Sequence, residues 1–143
     1  ERLSFSEYDG KMRVNEYFPA LIRNITEAFR LGEEIVIESV FDESEIKTKT
    51  MFSLGIIVTE LVSNSIKYAF PDKKNGKITI RINSDNEVFH LLVSDDGCGI
   101  DEAINISGLG MRLVEMLVQQ MGAKMKRSGE GGTSYEISFV PES

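Results

Sequence analysis

The chain has no tryptophan, one cysteine (Cys98), one histidine (His90) and three prolines among 143 residues. A single thiol rules out an internal disulfide, a four-cysteine zinc site and a paired-thiol redox motif, so a reducing compartment such as the cytoplasm is expected. No apolar run reaches the length of a membrane-crossing helix, and Glu1-Arg2-Leu3-Ser4 lacks the basic-then-apolar pattern of a signal peptide. No membrane contact by this domain is expected. The absence of an initiator methionine suggests a fragment, whose parent could carry sensory or membrane parts. Positive charge is also scarce: 16 Lys and Arg against 23 Asp and Glu leave a formal net charge of -7. That balance argues against a nucleic-acid partner, which needs clustered cations. It leaves room for one small anion, because such a site needs only a few local donors.

What is present is ordinary for one soluble globular unit, with 41% hydrophobic residues. Residues 14 to 30 repeat Val14, Phe18, Leu21, Ile22, Ile25 and Phe29 at helical offsets, and Gly32 is the expected stop. Ile35 to Phe41 is β-branched and aromatic, which favours a strand, and Asp42 to Glu45 reads as a solvated turn. A second helix is expected over about 50 to 69, ended by Pro71. Lys77 to Asn83 alternates cleanly, with Ile78, Ile80 and Ile82 on one face. Ser84-Asp85-Asn86 should turn the chain into a strand over Glu87 to Ser94. Phe89, Leu91 and Val93 then share a face, and continuing their parity lands on Asp95. A glycine-containing loop over 96 to 107 leads to a helix over 109 to 121, with Gly122 as its stop. Short strands over Ala123 to Arg127 and Thr133 to Val140 complete the chain. In the last strand Thr133 shares the inward parity of Tyr135, Ile137 and Phe139. One-faced strands with three amphipathic helices point to a two-layer α/β sandwich, its site between the layers.

The second helix carries an anomaly. Glu60, Asn64 and Lys67, at offsets of four and three, form one polar stripe among Leu54, Ile57, Val58, Leu61, Val62 and Ile66. Buried polar groups without partners cost kilocalories each, so the stripe needs water, internal partners or a polar ligand with its own counter-charges. A metal-bound phosphate ester has that character. Three further features follow in order: Asp95-Asp96-Gly97-Cys98-Gly99, Gly108-Leu109-Gly110-Met111 opening a helix, and Gly131-Gly132-Thr133 opening a strand. Each alone is as well explained by a turn.

Taken together, in this order and at this spacing, the four elements resemble the N, G1, G2 and G3 boxes of the GHKL (Bergerat-fold) ATP-binding superfamily. Within it the chain is most similar to the catalytic domain of sensor histidine kinases, in a short-lid subgroup related to the HWE kinases. The resemblance implies a mixed sheet with about three helices on one face. It also implies that residues 14 to 143 form the catalytic domain and that 1 to 13 are the tail of an upstream dimerisation region or linker. Two features depart from HWE kinases proper: Thr59 stands where they carry a histidine, and their tryptophan motif is missing. Only Ile100 to Ser107 separates Gly99 from Gly108, so the lid must be brief.

By the same resemblance the ligands are ATP and Mg²⁺. Asp95 would accept a hydrogen bond from the adenine amino group, with Thr133 assisting through a water. Gly97 and Gly99 would let backbone approach the base and sugar. Gly108, Leu109, Gly110 and Met111 would present helix-opening amides to the phosphates. Asn64 would be the metal ligand, Lys67 a phosphate contact and Tyr68 a further nucleotide contact. Glu60 would be the catalytic carboxylate, either polarising the nucleophile or holding water around the metal. His90 lies on the strand face opposite Asp95 and makes a poor phosphoacceptor. The expected partners are therefore an upstream phosphoacceptor hairpin, which would also carry homodimerisation, and a response-regulator receiver domain. A serine kinase of the anti-sigma type and a nucleotide-dependent switch without phosphotransfer are the alternatives.

Overall fold

A computed structural model of the chain describes residues 10–70, 75–98 and 108–141. Pro71, Gly99 and the lid segment 100 to 107 lie outside the described residues. The elements run β1 (Lys11–Arg13), α1 (Val14–Ala28), β2 (Ile35–Phe41), β3 (Glu45–Lys47), α2 (Thr48–Asn64) with a π-helical turn (Ser65–Ala69), β4 (Gly76–Asp85), β5 (Val88–Asp95), α3 (Leu109–Gln120), β6 (Lys124–Ser128) and β7 (Thr133–Phe139). Five strands form one sheet in the order β2-β4-β5-β7-β6, and β1 pairs with β3 in a separate two-stranded piece. The sheet is mixed: β2 and β4 are parallel, and the remaining pairs are antiparallel. The expected α/β sandwich is what forms.

Alternation explains the layers. Ile78, Ile80 and Ile82 of β4, Phe89, Leu91 and Val93 of β5, and Tyr135, Ile137 and Phe139 of β7 are all buried. They meet Met51, Leu54, Ile57, Val58, Leu61 and Val62 of α2, Val14, Phe18 and Ile25 of α1, and Met111, Val114, Leu117 and Val118 of α3 in one core. Burying an aliphatic side chain of this size stabilises by about 1.5–3 kcal/mol, so the rows that share parity dictate which face the helices cover. The outward positions Arg81, His90, Glu136 and Lys126 stay exposed. His90, paired in register with Asn83 and Ser138, is on that outer face as parity demands.

The parallel β2–β4 pair requires a crossover, and α2 supplies it. A crossover helix runs back along the sheet, so its C-terminal end returns to the edge where β4 begins. Ile78 of β4 is in register with Asp95, and Asp95 with Thr133. The polar end of α2 is therefore delivered to the edge that carries both inward polar residues.

Several boundaries differ from the expectations, each for a local reason. α1 stops before Gly32, because Arg30 takes a left-handed φ of 53°. The Arg30 amide donates to the Glu27 carbonyl (3.2 Å) and the Leu31 amide to the Thr26 carbonyl (3.1 Å), the paired bonds of a Schellman cap. Gly122, with φ 66°, ends α3 through the same pair of bonds, to Gln119 and Val118. The β4–β5 turn is one residue later than anticipated, with positive φ at both Asn86 and Glu87, as a two-residue hairpin turn requires. Glu45 belongs to a strand, not to the solvated turn.

Asp42 fastens the far end of β2. Its carboxylate accepts from the Ser44 amide (3.0 Å), the Ser84 amide (2.8 Å) and both serine hydroxyls. Partial burial pushes its pKa up, but these donors outweigh it and hold the carboxyl below its ordinary value. A carboxyl held low contributes stability above its unfolded pKa and loses it as pH falls through the folded one. Asp42→Ala should therefore lower stability by about 1 kcal/mol at neutral pH, with the gap to the parent closing below about pH 4. Urea unfolding at the two pH values checks this, and an undiminished gap in acid would rule the carboxylate out as its source.

Candidate active site

The inward row of β5 ends on Asp95, which is only 7% exposed. A carboxylate this deep must be satisfied by donors, and three chain segments supply them. The Gly97 amide donates to Oδ1 at 2.9 Å and the Thr133 amide to the same oxygen at 3.2 Å. The Ser65 hydroxyl donates to Oδ2 at 2.7 Å. Ser65 and Thr133 are themselves buried, at 4% exposure each. The end of α2, the loop after β5 and the start of β7 thus converge on one side chain.

The loop after β5 is pressed against the turn that follows α2. The Cys98 amide donates to the Ala69 carbonyl at 2.9 Å, and a Cβ added to Gly97 would fall on that carbonyl oxygen. Only glycine allows the approach. On the other side Asp96 accepts from the Lys77 amide (2.8 Å) while its own amide donates to the Lys77 carbonyl (3.2 Å), which fixes the loop to the start of β4. Cys98 is exposed.

The other end of the site lies where α2 meets α3. Gly108 caps α3 in an extended conformation, so the amides of Leu109, Gly110 and Met111 begin the helix without intrahelical acceptors. Met111 is buried and Leu109 is 82% exposed, which leaves the backbone of this turn as its polar feature. Gly110 faces Glu60 so closely that an added Cβ would meet the carboxylate oxygen. A carboxylate beside helix-opening amides is electrostatically favourable, and the same amides suit a phosphate.

Of the predicted stripe, Glu60 and Asn64 are half-buried and Lys67 is exposed. Among the described residues none of the three makes a side-chain hydrogen bond or ion pair to protein. The Asn64 amide oxygen, with no protein donor among the described residues, fits a ligand for a hard cation such as Mg²⁺. Among the described residues no three His, Cys, Asp or Glu side chains cluster as a metal cage. Tyr68 is 45% exposed, and its carbonyl lies 3.8 Å from the Cys98 sulfur. A shallow hollow of about 490 Å³ on the outer sheet face, lined in part by Arg81, His90, Lys124 and Glu136, contains none of the predicted site residues.

Pattern reading missed Ser65. It lies about 100° around the axis from Asn64, outside a stripe counted in threes and fours. A signal was nonetheless available, since a serine inside an apolar helix needs a partner. The turn that begins at Ser65 is π-helical, a widening that often marks functional positions.

A family model described as the histidine kinase-, DNA gyrase B- and HSP90-like ATPase matches residues 51–143, and the chain belongs to that family. Blue-light-activated histidine kinase 2 of Erythrobacter litoralis is 33% identical over 102 residues, covering 68% of this chain and 29% of that protein. The serine-protein kinase RsbW of Listeria innocua is 29% identical over 85 residues, covering 48% of this chain and 54% of that one. Among solved structures, the histidine kinase domain of the Erythrobacter litoralis EL346 blue-light-activated kinase superposes with a TM-score of 0.84 at 27% identity, covering 91% of this chain and 66% of that chain. The chain thus spans less than two thirds of each of these relatives.

The two site glycines should respond differently to alanine. Gly97→Ala places a methyl on backbone and should destabilise by about 1–3 kcal/mol. Gly110→Ala meets only the end of a flexible side chain, and with the helix-propensity gain of alanine stability should move by no more than about 1 kcal/mol. Urea unfolding of both variants decides the order, and a larger loss at Gly110 would contradict the packing described.

Proposed function

We propose that the chain is the ATP- and Mg²⁺-binding catalytic domain of a sensor histidine kinase. The phosphoryl group would pass from ATP to a histidine on a helical hairpin outside this chain and from there to a response-regulator aspartate. The observation that carries this reading is the pairing of a buried, triply bonded carboxylate at Asp95 with an open helix start and a polar stripe that has no protein partner among the described residues. Such a site can hold a base at one end and a triphosphate at the other. Residues 14 to 143 would be the catalytic unit and 1 to 13 the approach from the hairpin. The pairing of Lys11–Arg13 with Glu45–Lys47 would anchor that approach. Dimerisation would reside in the hairpin of the full-length protein, and a cytoplasmic setting suits the domain. Among the described residues no helix is long and apolar enough to cross a membrane.

The arrangement supports the following roles. Asp95 accepts from the adenine amino group, with Thr133 beside it, and Gly97 allows close backbone approach, a role proposed also for Gly99, which lies outside the described residues. The amides from Gly108 to Met111 receive phosphate oxygens, and Lys67 neutralises phosphate charge. Tyr68 borders the same turn. Asn64 would hold Mg²⁺, which would supply charge neutralisation for the phosphates. Glu60, beside Gly110 at the start of α3, would polarise the incoming nucleophile or serve as a metal-shell partner. The domain's contribution is chiefly positioning for in-line transfer.

A second reading has one observation in its favour: the similarity to a serine-protein kinase from Listeria. The two differ in product chemistry. With labelled ATP, Mg²⁺ and the full-length parent, an acid-labile, base-stable phosphoprotein is expected, as phosphohistidine requires. An acid-stable product would favour serine, and no transfer would favour a nucleotide switch. In calorimetry, Asp95→Asn should weaken ATP binding about 10–100-fold, the loss of a hydrogen bond to a charged group. Unchanged binding would remove Asp95 from the site.

A further inference from the structure

Asp95 presents two carboxylate oxygens that are not equivalent. Oδ1 receives two backbone amides, from Gly97 and Thr133, which fill the two acceptor positions of one oxygen. Among the described residues Oδ2 receives only the Ser65 hydroxyl, at 2.7 Å, and retains one acceptor position. A carboxylate only accepts, so the hydroxyl hydrogen is committed to Oδ2 and the direction of that bond is fixed. Ser65 and Asp95 are both largely buried, which keeps water from substituting easily for either partner. The backbone amides alone would pin Oδ1 and leave the carboxylate free to swing Oδ2 about it. The serine removes that freedom.

We propose that Ser65 is the positioning residue that aims Oδ2 of Asp95, and that Oδ2 is the atom reading the 6-amino group of the purine. The inference rests on the ATP reading of the site. It adds the identity of the reading atom and a residue, at the start of the π-helical turn, on which base discrimination depends. An oxygen held with one open acceptor position selects a ring that offers an exocyclic N–H and disfavours one that presents a carbonyl or nothing there. Because the bond spans from α2 to β5, the base reader is tied to the helix that carries Glu60 and Asn64. Base recognition and the phosphate end therefore share one rigid element.

The test compares ATP with purine riboside triphosphate, which lacks the 6-amino group, by calorimetry in Mg²⁺ on the intact chain. The parent protein should prefer ATP. Ser65→Ala should weaken ATP about tenfold and the desamino nucleotide by less than about twofold, collapsing the preference, because only the first ligand uses the aimed oxygen. Ser65→Thr keeps the hydroxyl and should retain the preference. In an Asp95→Asn background, Ser65→Ala should change the preference no further. Equal weakening of both nucleotides by Ser65→Ala would show a merely structural role and overturn the proposal, as would an unchanged preference. A parent protein that binds neither nucleotide would overturn the ATP reading itself, an outcome distinct from either.

Discussion

The structure turns on one buried carboxylate. Asp95 continues a row of core side chains, and a charge at that position is tolerable only because Ser65, Gly97 and Thr133 donate to it from three separate segments. Each donor imposes a demand on its own segment. The Ser65 bond requires α2 to end over the last residue of β5. The Gly97 bond requires the loop to fold back immediately, which presses it onto the Ala69 carbonyl and admits no side chain. The Thr133 bond requires β7 to begin level with the end of β5, which is the observed register. The order of the central strands, the length of the crossover helix and the glycine after Asp95 are thus consequences of satisfying a single side chain.

Another face of the same end of α2 shows the reverse condition. Glu60 lies against the opening of α3, and Asn64 and Lys67 make no bond to the described protein. A half-buried amide and carboxylate in this state are worth keeping only where something else completes them. On the proposed reading the Asp95 end, where the base would sit, is organised by the fold itself, whereas the end that would take the phosphates has no protein partners among the described residues. Pre-organisation at Asp95 would lower the ordering cost of binding a base, and an incomplete second end would reserve its strongest interactions for a transferred group.

Most of this was legible because it depends on periodicity. Strand parity placed Asp95 and Thr133 inward and His90 outward, and the helical offsets exposed the polar stripe. Gly122 was legible as a cap because glycine is the usual residue at a left-handed position. Arg30 was not, since it adopts the same conformation without the residue type that advertises it. The paired strands Lys11–Arg13 and Glu45–Lys47 were invisible because three residues are too few for alternation to register. Ser65 escaped for a different reason: its partner is 30 positions away, and local spacing carries no information about a bond set by tertiary register.

Parity also separates this domain from its own histidine. His90 and Asp95 lie on one strand five residues apart, an odd offset that sends their side chains to opposite faces of the sheet. His90 shares its face with Arg81 and Glu136, while the open start of α3 and the polar stripe of α2 belong to the helix side. Bringing the imidazole to a phosphate held there would require the sheet to invert, which would expose the inward rows of β4, β5 and β7 together. Each of those side chains contributes about 1.5–3 kcal/mol by being buried, so the inversion would exceed the whole stability of a domain this size. A phosphoryl group positioned between the layers is therefore out of reach of the single histidine in the chain. On the proposed reading, transfer to a histidine would need a second body brought to the α2–α3 edge.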